Sequence, residues 1–227
     1  MPQGSAMRTS THIATLLLLV ISSHCFGQVV TPEPPETPVT EIDDITVELV
    51  YLGVSQPLTE KLTTQAYAAY AYDDELGLAI ADLGRAINKG VQVGGRYVFF
   101  GSSGNSDQHS FWAYLNAEKY LTSSWRIDTR QVIEYRFDTS GVAERTRYRP
   151  RFRVSYLGQA GGRQYQVYTS VEPIFNLTTD DDDQISWAAG GFLRISKSAQ
   201  FNLFYQFTET DRGPDFHFPG IGVLFSY

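Results

Sequence analysis

The chain has 227 residues and a formal net charge of −7, from 18 Lys and Arg against 25 Asp and Glu, so it offers no basic face to neutralise phosphates and nucleic acid is excluded as a partner. Tyr and Phe number 14 each and Gly 19, against two Met, a composition that suits pleated strands better than helices. The one cysteine, Cys25, falls in a segment expected to be removed on export. The mature chain then has no thiol, which excludes disulfides, cysteine metal centres and cysteine nucleophiles.

Residues 1–27 read as a secretory signal peptide. Arg8 is the only charge ahead of an apolar core, Ile13 to Ile21, that contains Leu16-Leu17-Leu18-Leu19-Val20. That core is too short to span a bilayer and long enough for export. Cleavage before Gln28 puts Cys25 at −3 and Gly27 at −1, and Met7 offers an alternative start. Lipidation at Cys25 is the competing reading, but Ser22-Ser23-His24 fit poorly the small-residue pattern it needs. Residues 28–44 interleave Pro32, Pro34, Pro35 and Pro38 with Glu33, Glu36 and Glu41, an extended, solvated periplasmic leader.

From Ile45 to Tyr227 the pattern changes to segments of about ten alternating residues separated by turn-formers. Strands are expected at about 45–54, 61–72, 78–87, 91–100, 109–120, 125–137, 144–157, 164–176, 185–195, 200–209 and 218–227. Trp125, Ile127, Ile133, Tyr135 and Phe137 alternate with Arg126, Asp128, Arg130, Glu134 and Arg136; Phe201, Leu203, Tyr205 and Phe207 alternate with Asn202, Gln206 and Thr208. No stretch after residue 27 is apolar for long enough to be a membrane helix. A membrane-embedded chain must then close into a barrel, because lipid offers nothing to unpaired backbone groups. A soluble barrel with the apolar face inside predicts the same alternation. Connection lengths separate the two. Links at 88–90, 121–124, 158–162 and 196–199 are short, whereas those at 73–75, 101–108, 138–143, 178–184 and 210–216 are longer and more acidic, the outer-membrane arrangement.

The fold expected is therefore an all-β, antiparallel up-and-down transmembrane barrel of 10–12 strands. Eleven segments conflict with the even number usual for such barrels, which favours ten or twelve strands and leaves the role of 45–54 open. Pro150 and Pro173 fall inside expected strands and each removes a ladder donor, so bulges or rim positions are expected there. The chain ends on Gly222-Val223-Leu224-Phe225-Ser226-Tyr227, and Gly222, Phe225 and Tyr227 are read as the signal for the barrel assembly machinery.

The order of RTRYRPRFRVSY at Arg145 to Tyr156, YTSVEPIFNL at Tyr168 to Leu177, then GGFLRISKSAQFNLFYQF and GIGVLFSY resembles the DUF2490 family of bacterial outer-membrane barrels over about residues 45–227. The resemblance implies fold and location and brings no catalytic residue.

Arg145, Arg147, Arg149, Arg151 and Arg153 occupy every second position and share one face of a strand. That face avoids lipid, where a midplane Arg costs about 2–4 kcal/mol. The preceding segment supplies Arg126, Asp128, Arg130, Glu134 and Arg136, and a hairpin between them sets Glu134 opposite Arg147 and Asp128 opposite Arg153, with Glu118 and Glu172 flanking. This lumen network is either a salt-bridge filling of a narrow interior or, through its Arg excess, an anion-preferring conduit. The run Asp180 to Asp183 lacks the spacing of a calcium loop, and Asn176-Leu177-Thr178 matches a glycosylation acceptor by coincidence. Enzyme chemistry has only His109 and His217 to draw on. Adjacent His109 and Ser110 point to opposite faces, and Asp211 and Asp215 lie near His217. The leading expectation is a monomeric, non-enzymatic outer-membrane barrel without cofactor or metal, in contact with lipid and lipopolysaccharide. A surface lipid or peptide hydrolase and a soluble periplasmic barrel binding an apolar ligand are the alternatives.

Overall fold

The computed structural model describes residues 44–226 apart from 72–75, 103–106, 140–143, 179–182 and 212. The expected export segment and most of the leader, the acids Asp180 to Asp182, and Tyr227 lie outside the described residues. The strands are β1 (Ile45–Thr46), β2 (Leu49–Pro57), β3 (Leu62–Ala71), β4 (Leu76–Asn88), β5 (Val91–Ser102), β6 (Gln108–Tyr120), β7 (Trp125–Asp138), β8 (Arg145–Ala160), β9 (Arg163–Asn176), β10 (Gln184–Arg194), β11 (Ala199–Thr210) and β12 (Phe216–Ser226). Each strand from β2 to β12 pairs antiparallel with the next, and β12 returns to pair with β2, closing a barrel.

The odd count has a simple origin. β1 aligns Ile45 with Phe216 and β2 aligns Leu49 with Gly220, both parallel to β12 and at one offset. They are one strand interrupted at Val47 and Glu48, so eleven strands close. An even number follows only when every neighbouring pair is antiparallel. Here Leu49–Ser55 run parallel to Gly220–Ser226, which places the count between the ten and twelve expected and makes segment 45–54 a wall strand.

Parallel pairing is slightly weaker per residue, and this seam is plated from inside. A Cβ on Gly222 would lie 2.4 Å from the Tyr51 carbonyl oxygen and 2.5 Å from its ring, and one on Gly220 would lie 2.2 Å from the Phe204 ring. Tyr51 sits 6.1 Å from Phe204 and 6.4 Å from Tyr67, ring centre to centre. Rings laid over glycines of neighbouring strands restore the contact the missing side chains would make.

The sense of the alternation is inverted relative to a soluble protein. Leu52, Phe152 and Leu203 are 56–57% exposed on the outer face, whereas Ser110, Glu134 and Ser155 are fully buried inside. Aromatic rings belt the outside towards both ends. His109 and Phe137 stack at 5.0 Å, with Tyr97 and Phe111 beside them, and Trp125 meets Tyr156 at 5.2 Å at the other end. Two aromatic girdles around an apolar band are the surface of a barrel that meets lipid.

Tight connections gather at one end. Between β8 and β9 the turn uses Gly161 and Gly162 at φ of 57° and 75°, the left-handed pair a two-residue hairpin needs to match strand twist. Pro150 and Pro173 are neither bulged nor at a rim. Arg147 pairs with Asn176 and Phe152 with Val171 in one unbroken register, which sets the two prolines opposite each other, with no pairing over residues 149–151. Because both missing donors fall at the same rung, neither strand slips.

Gly222→Leu is expected to abolish the faster migration of the unboiled protein in gel electrophoresis, because the Leu side chain must displace Tyr51 at the seam. Ile221→Leu, on the outward face one residue away, is expected to leave that migration unchanged.

Candidate functional site

Strand parity places the even residues of β7 and the odd residues of β8 on the inner face. Their register sets Asp128 beside Arg153, Arg130 beside Arg151, Glu134 beside Arg147 and Arg136 beside Arg145. The carboxylates do not simply pair straight across. Glu134, fully buried, accepts from Arg149 Nη1 at 2.9 Å, from Arg136 Nη2 at 3.0 Å and from Ser110 Oγ at 2.9 Å. Glu172 of β9 accepts from Arg130 Nη2 at 2.6 Å and from Arg149 Nε and Nη2 at 2.8 and 2.5 Å. Asp128 accepts from Arg153 Nε at 2.8 Å and Arg151 Nη2 at 3.3 Å, with Arg126 Nη2 at 3.9 Å. Arg126 also reaches Glu118 at 3.3 Å nearer solvent.

One arginine sits apart from this pairing. Arg147 is 4% exposed, its register neighbour Glu134 is engaged by Arg136 and Arg149, and its Nε has no hydrogen-bond partner among the described residues. The Nε groups of Arg126, Arg130 and Arg151 are likewise unpartnered there.

Several members of the cluster carry no mark in the arginine pattern. Trp112 of β6 lies under three guanidiniums, Arg149 at 4.4 Å, Arg96 at 5.2 Å and Arg130 at 5.4 Å from its ring centre. The ring quadrupole attracts each cation, and more strongly where water is excluded. Asp82 of β4 binds Arg96 Nε at 2.8 Å and accepts from the Tyr114 hydroxyl at 2.7 Å. Counting outward from the Asn88-Lys89-Gly90 turn finds the first of these pairs, because Asp82 faces Arg96 across the β4–β5 hairpin. Trp112 has no such sequence signal.

Beside the cluster lies a cavity of about 510 Å³. Arg96, Arg130, Arg151 and Arg153 border one side of it, Leu49, Tyr51, Phe204 and Leu224 border the other together with Gln65 and Asn202, and Leu78 and Ile80 of β4 lie next to the strand of Arg96. A second space of about 310 Å³ shares Gln92, Asn116, Arg151 and Arg153 with the first and reaches the Asn88-Lys89-Gly90 turn.

The histidines are on the outside. His109 Nδ1 meets the Tyr97 hydroxyl at 2.7 Å, while Ser110 points inward to Glu134. His217 Nδ1 meets the Tyr205 hydroxyl at 2.5 Å and its Nε2 lies 3.5 Å from Asp44, not Asp211 or Asp215. Asp215 instead accepts from the Thr210 amide at 3.0 Å. Of the residues read as an assembly signal, Gly222 faces inward under Tyr51, and Phe225 shares the outward face with Ile221.

A closed barrel with an apolar exterior and a charged, tightly paired interior defines a transmembrane β-barrel. Residues 77–215 match the family model described as "Protein of unknown function (DUF2490)", and the chain belongs to that family. No curated protein matches the chain. Among solved structures, a "Bacterial polysaccharide outer membrane secretin" is similar at 10% identity and a TM-score of 0.49, over 70% of this chain and 62% of that one, less than two thirds of its length. The "KdgM porin in complex with disordered oligogalacturonate" is similar at 10% identity and 0.49, and the "KdgM porin" at 11% and 0.46, each over 70% of this chain and 82% of theirs.

Glu172→Gln leaves Arg130 and Arg149 without their shared counter-charge and is expected to destabilise the barrel by roughly 3–5 kcal/mol, read from the urea midpoint in lipid vesicles. Glu118→Gln, at a side chain 36% exposed, is expected to cost less than about 1 kcal/mol.

Proposed function

We propose that the protein is an outer-membrane barrel that forms a narrow, anion-preferring polar conduit and performs no catalysis. The observation that carries this reading is the juxtaposition, inside one apolar shell, of unsatisfied guanidinium nitrogens with a cavity that continues towards the tight-turn end. Rings of arginine select anions at short range by replacing their hydration. Arg151 and Arg153 border both spaces, so a passing anion would meet them in either. The Arg149–Glu172–Arg130 and Arg149–Glu134–Arg136 pairs fill the section next to them and keep the passage narrow. The outward, ring-stacked positions of His109 and His217 support a non-enzymatic reading over a hydrolase.

The same polarity supports an outer-membrane location. The protein is exported through its N-terminal signal, inserted by the barrel assembly machinery that reads the end of β12, and seated as a monomer among outer-membrane lipid and lipopolysaccharide. Recovery in the outer-membrane fraction, released only by detergent, is the expected result; a chain soluble without detergent would overturn the assignment.

Planar-bilayer recordings of the full mature chain test the conduit. The expected result is a small conductance with anions favoured over cations, and a preference that falls towards equality in Arg147→Gln/Arg151→Gln. A correctly inserted barrel with no conductance would overturn the conduit and make the charge layer purely structural.

A further inference from the structure

We infer that the lumen receives a small amphipathic organic anion, with one carboxylate, sulfonate or phosphate head and a compact apolar body. The inference rests on the polar-conduit reading and gives it a substrate class. Strand order is the starting point. β7 lies five strands from β2 one way and five from β12 the other, and β8 six and four. The basic side of the cavity, Arg130, Arg151 and Arg153, is thus diametrically opposite Leu49, Tyr51 and Leu224.

The basic side has cationic capacity to spare. Asp128 alone is shared by Arg126, Arg151 and Arg153, at 3.9, 3.3 and 2.8 Å, and the Arg151 Nε has no partner among the described residues. A ligand head group with two or three oxygens would complete those donors in the bidentate way that suits guanidinium.

The facing side is different in character: Leu49, Leu224, Tyr51 and Phe204 predominate there, with the two rings over Gly222 and Gly220, and Gln65 and Asn202 stand among them. A bare inorganic anion would leave this wall in water. An apolar body satisfies the wall, and a cavity of about 510 Å³ falls within the range of small-molecule sites.

The test uses the full mature chain in lipid nanodiscs and equilibrium dialysis, with empty nanodiscs subtracted. The probes are naphthoate, acetate, naphthamide and trigalacturonate. Naphthoate is expected to bind at least about tenfold more tightly than each of the other three, the worth of one good polar or apolar contact. Arg151→Gln/Arg153→Gln is expected to bring naphthoate down to the level of naphthamide. Leu49→Gln/Leu224→Gln is expected to bring it down to the level of acetate. Heat-modifiable migration identifies the variants that fold, and either pair alone is decisive. Naphthoate binding no better than acetate, indifference to the folded variants, or tighter binding of trigalacturonate would overturn the inference. Conductance recorded on the same protein keeps the two readings distinct. An anion-selective current without naphthoate preference overturns only the substrate class, and absence of current overturns the conduit.

Discussion

Everything in this barrel depends on the requirement that backbone polar groups inside a hydrocarbon layer be satisfied by the protein itself. A sheet meets that requirement only by closing, and closing fixes which way every side chain points, because the period of a strand is two. Once Val50, Leu52 and Ile221 face outward at the seam, their neighbours Tyr51 and Gly222 must face in, and the choice propagates through each hairpin. The interior thus inherits every second residue, including five consecutive odd-numbered arginines of β8. The charge layer is a consequence of closure before it is a device for anything else.

That inheritance explains the form of the network. Buried charge is costly unless paired and fully bonded, and β8 alone supplies far more cation than its neighbours on β7 can offset in register. The carboxylates respond by serving several guanidiniums each, diagonally and across two strands, as Glu134 and Glu172 do with Arg149. Trp112 supplies a further counter-surface from β6, a π face under three cations. What remains unsatisfied among the described residues, the Nε of Arg126, Arg130, Arg147 and Arg151, is the part of the layer that pairing alone does not explain.

Much of this was legible in the chain before any coordinates. Alternation around Trp125 to Phe137 and Arg145 to Arg153 gave both strands and their inward faces, and counting back from the Asp138 to Ala143 connection gave the register of Asp128 with Arg153. Local pattern carries such information because a hairpin is a local object. The seam between β2 and β12 is not: its partners are about 170 positions apart, and no turn fixes their direction, so a rule of even numbers stood in for evidence and pointed to ten or twelve strands. The prolines misled for a related reason. Each alone disrupts a ladder, and only the register of β8 on β9 reveals that they disrupt the same rung. Trp112 was hidden because an aromatic in a barrel strand reads as lipid-facing until parity is known on its own strand.

The placement of these weak points bears on how the barrel holds together. The β8–β9 ladder lapses opposite Pro150 and Pro173, and there Arg149 and Glu172 reach across the same two strands from the inner face, at 2.8 and 2.5 Å. Side-chain bonding thus spans the place where backbone bonding is absent. On the far side of the barrel the parallel seam, with its weaker ladder, is bridged by Tyr51 and Phe204 instead. The two remedies differ chemically, ionic on one wall and aromatic on the other, because each draws on the inward residues its own strands happen to supply. The difference between the two walls of the lumen, arginine and carboxylate on one and aromatic side chains prominent on the other, thus follows from where the ladder needs reinforcement: at the proline rung and at the parallel seam.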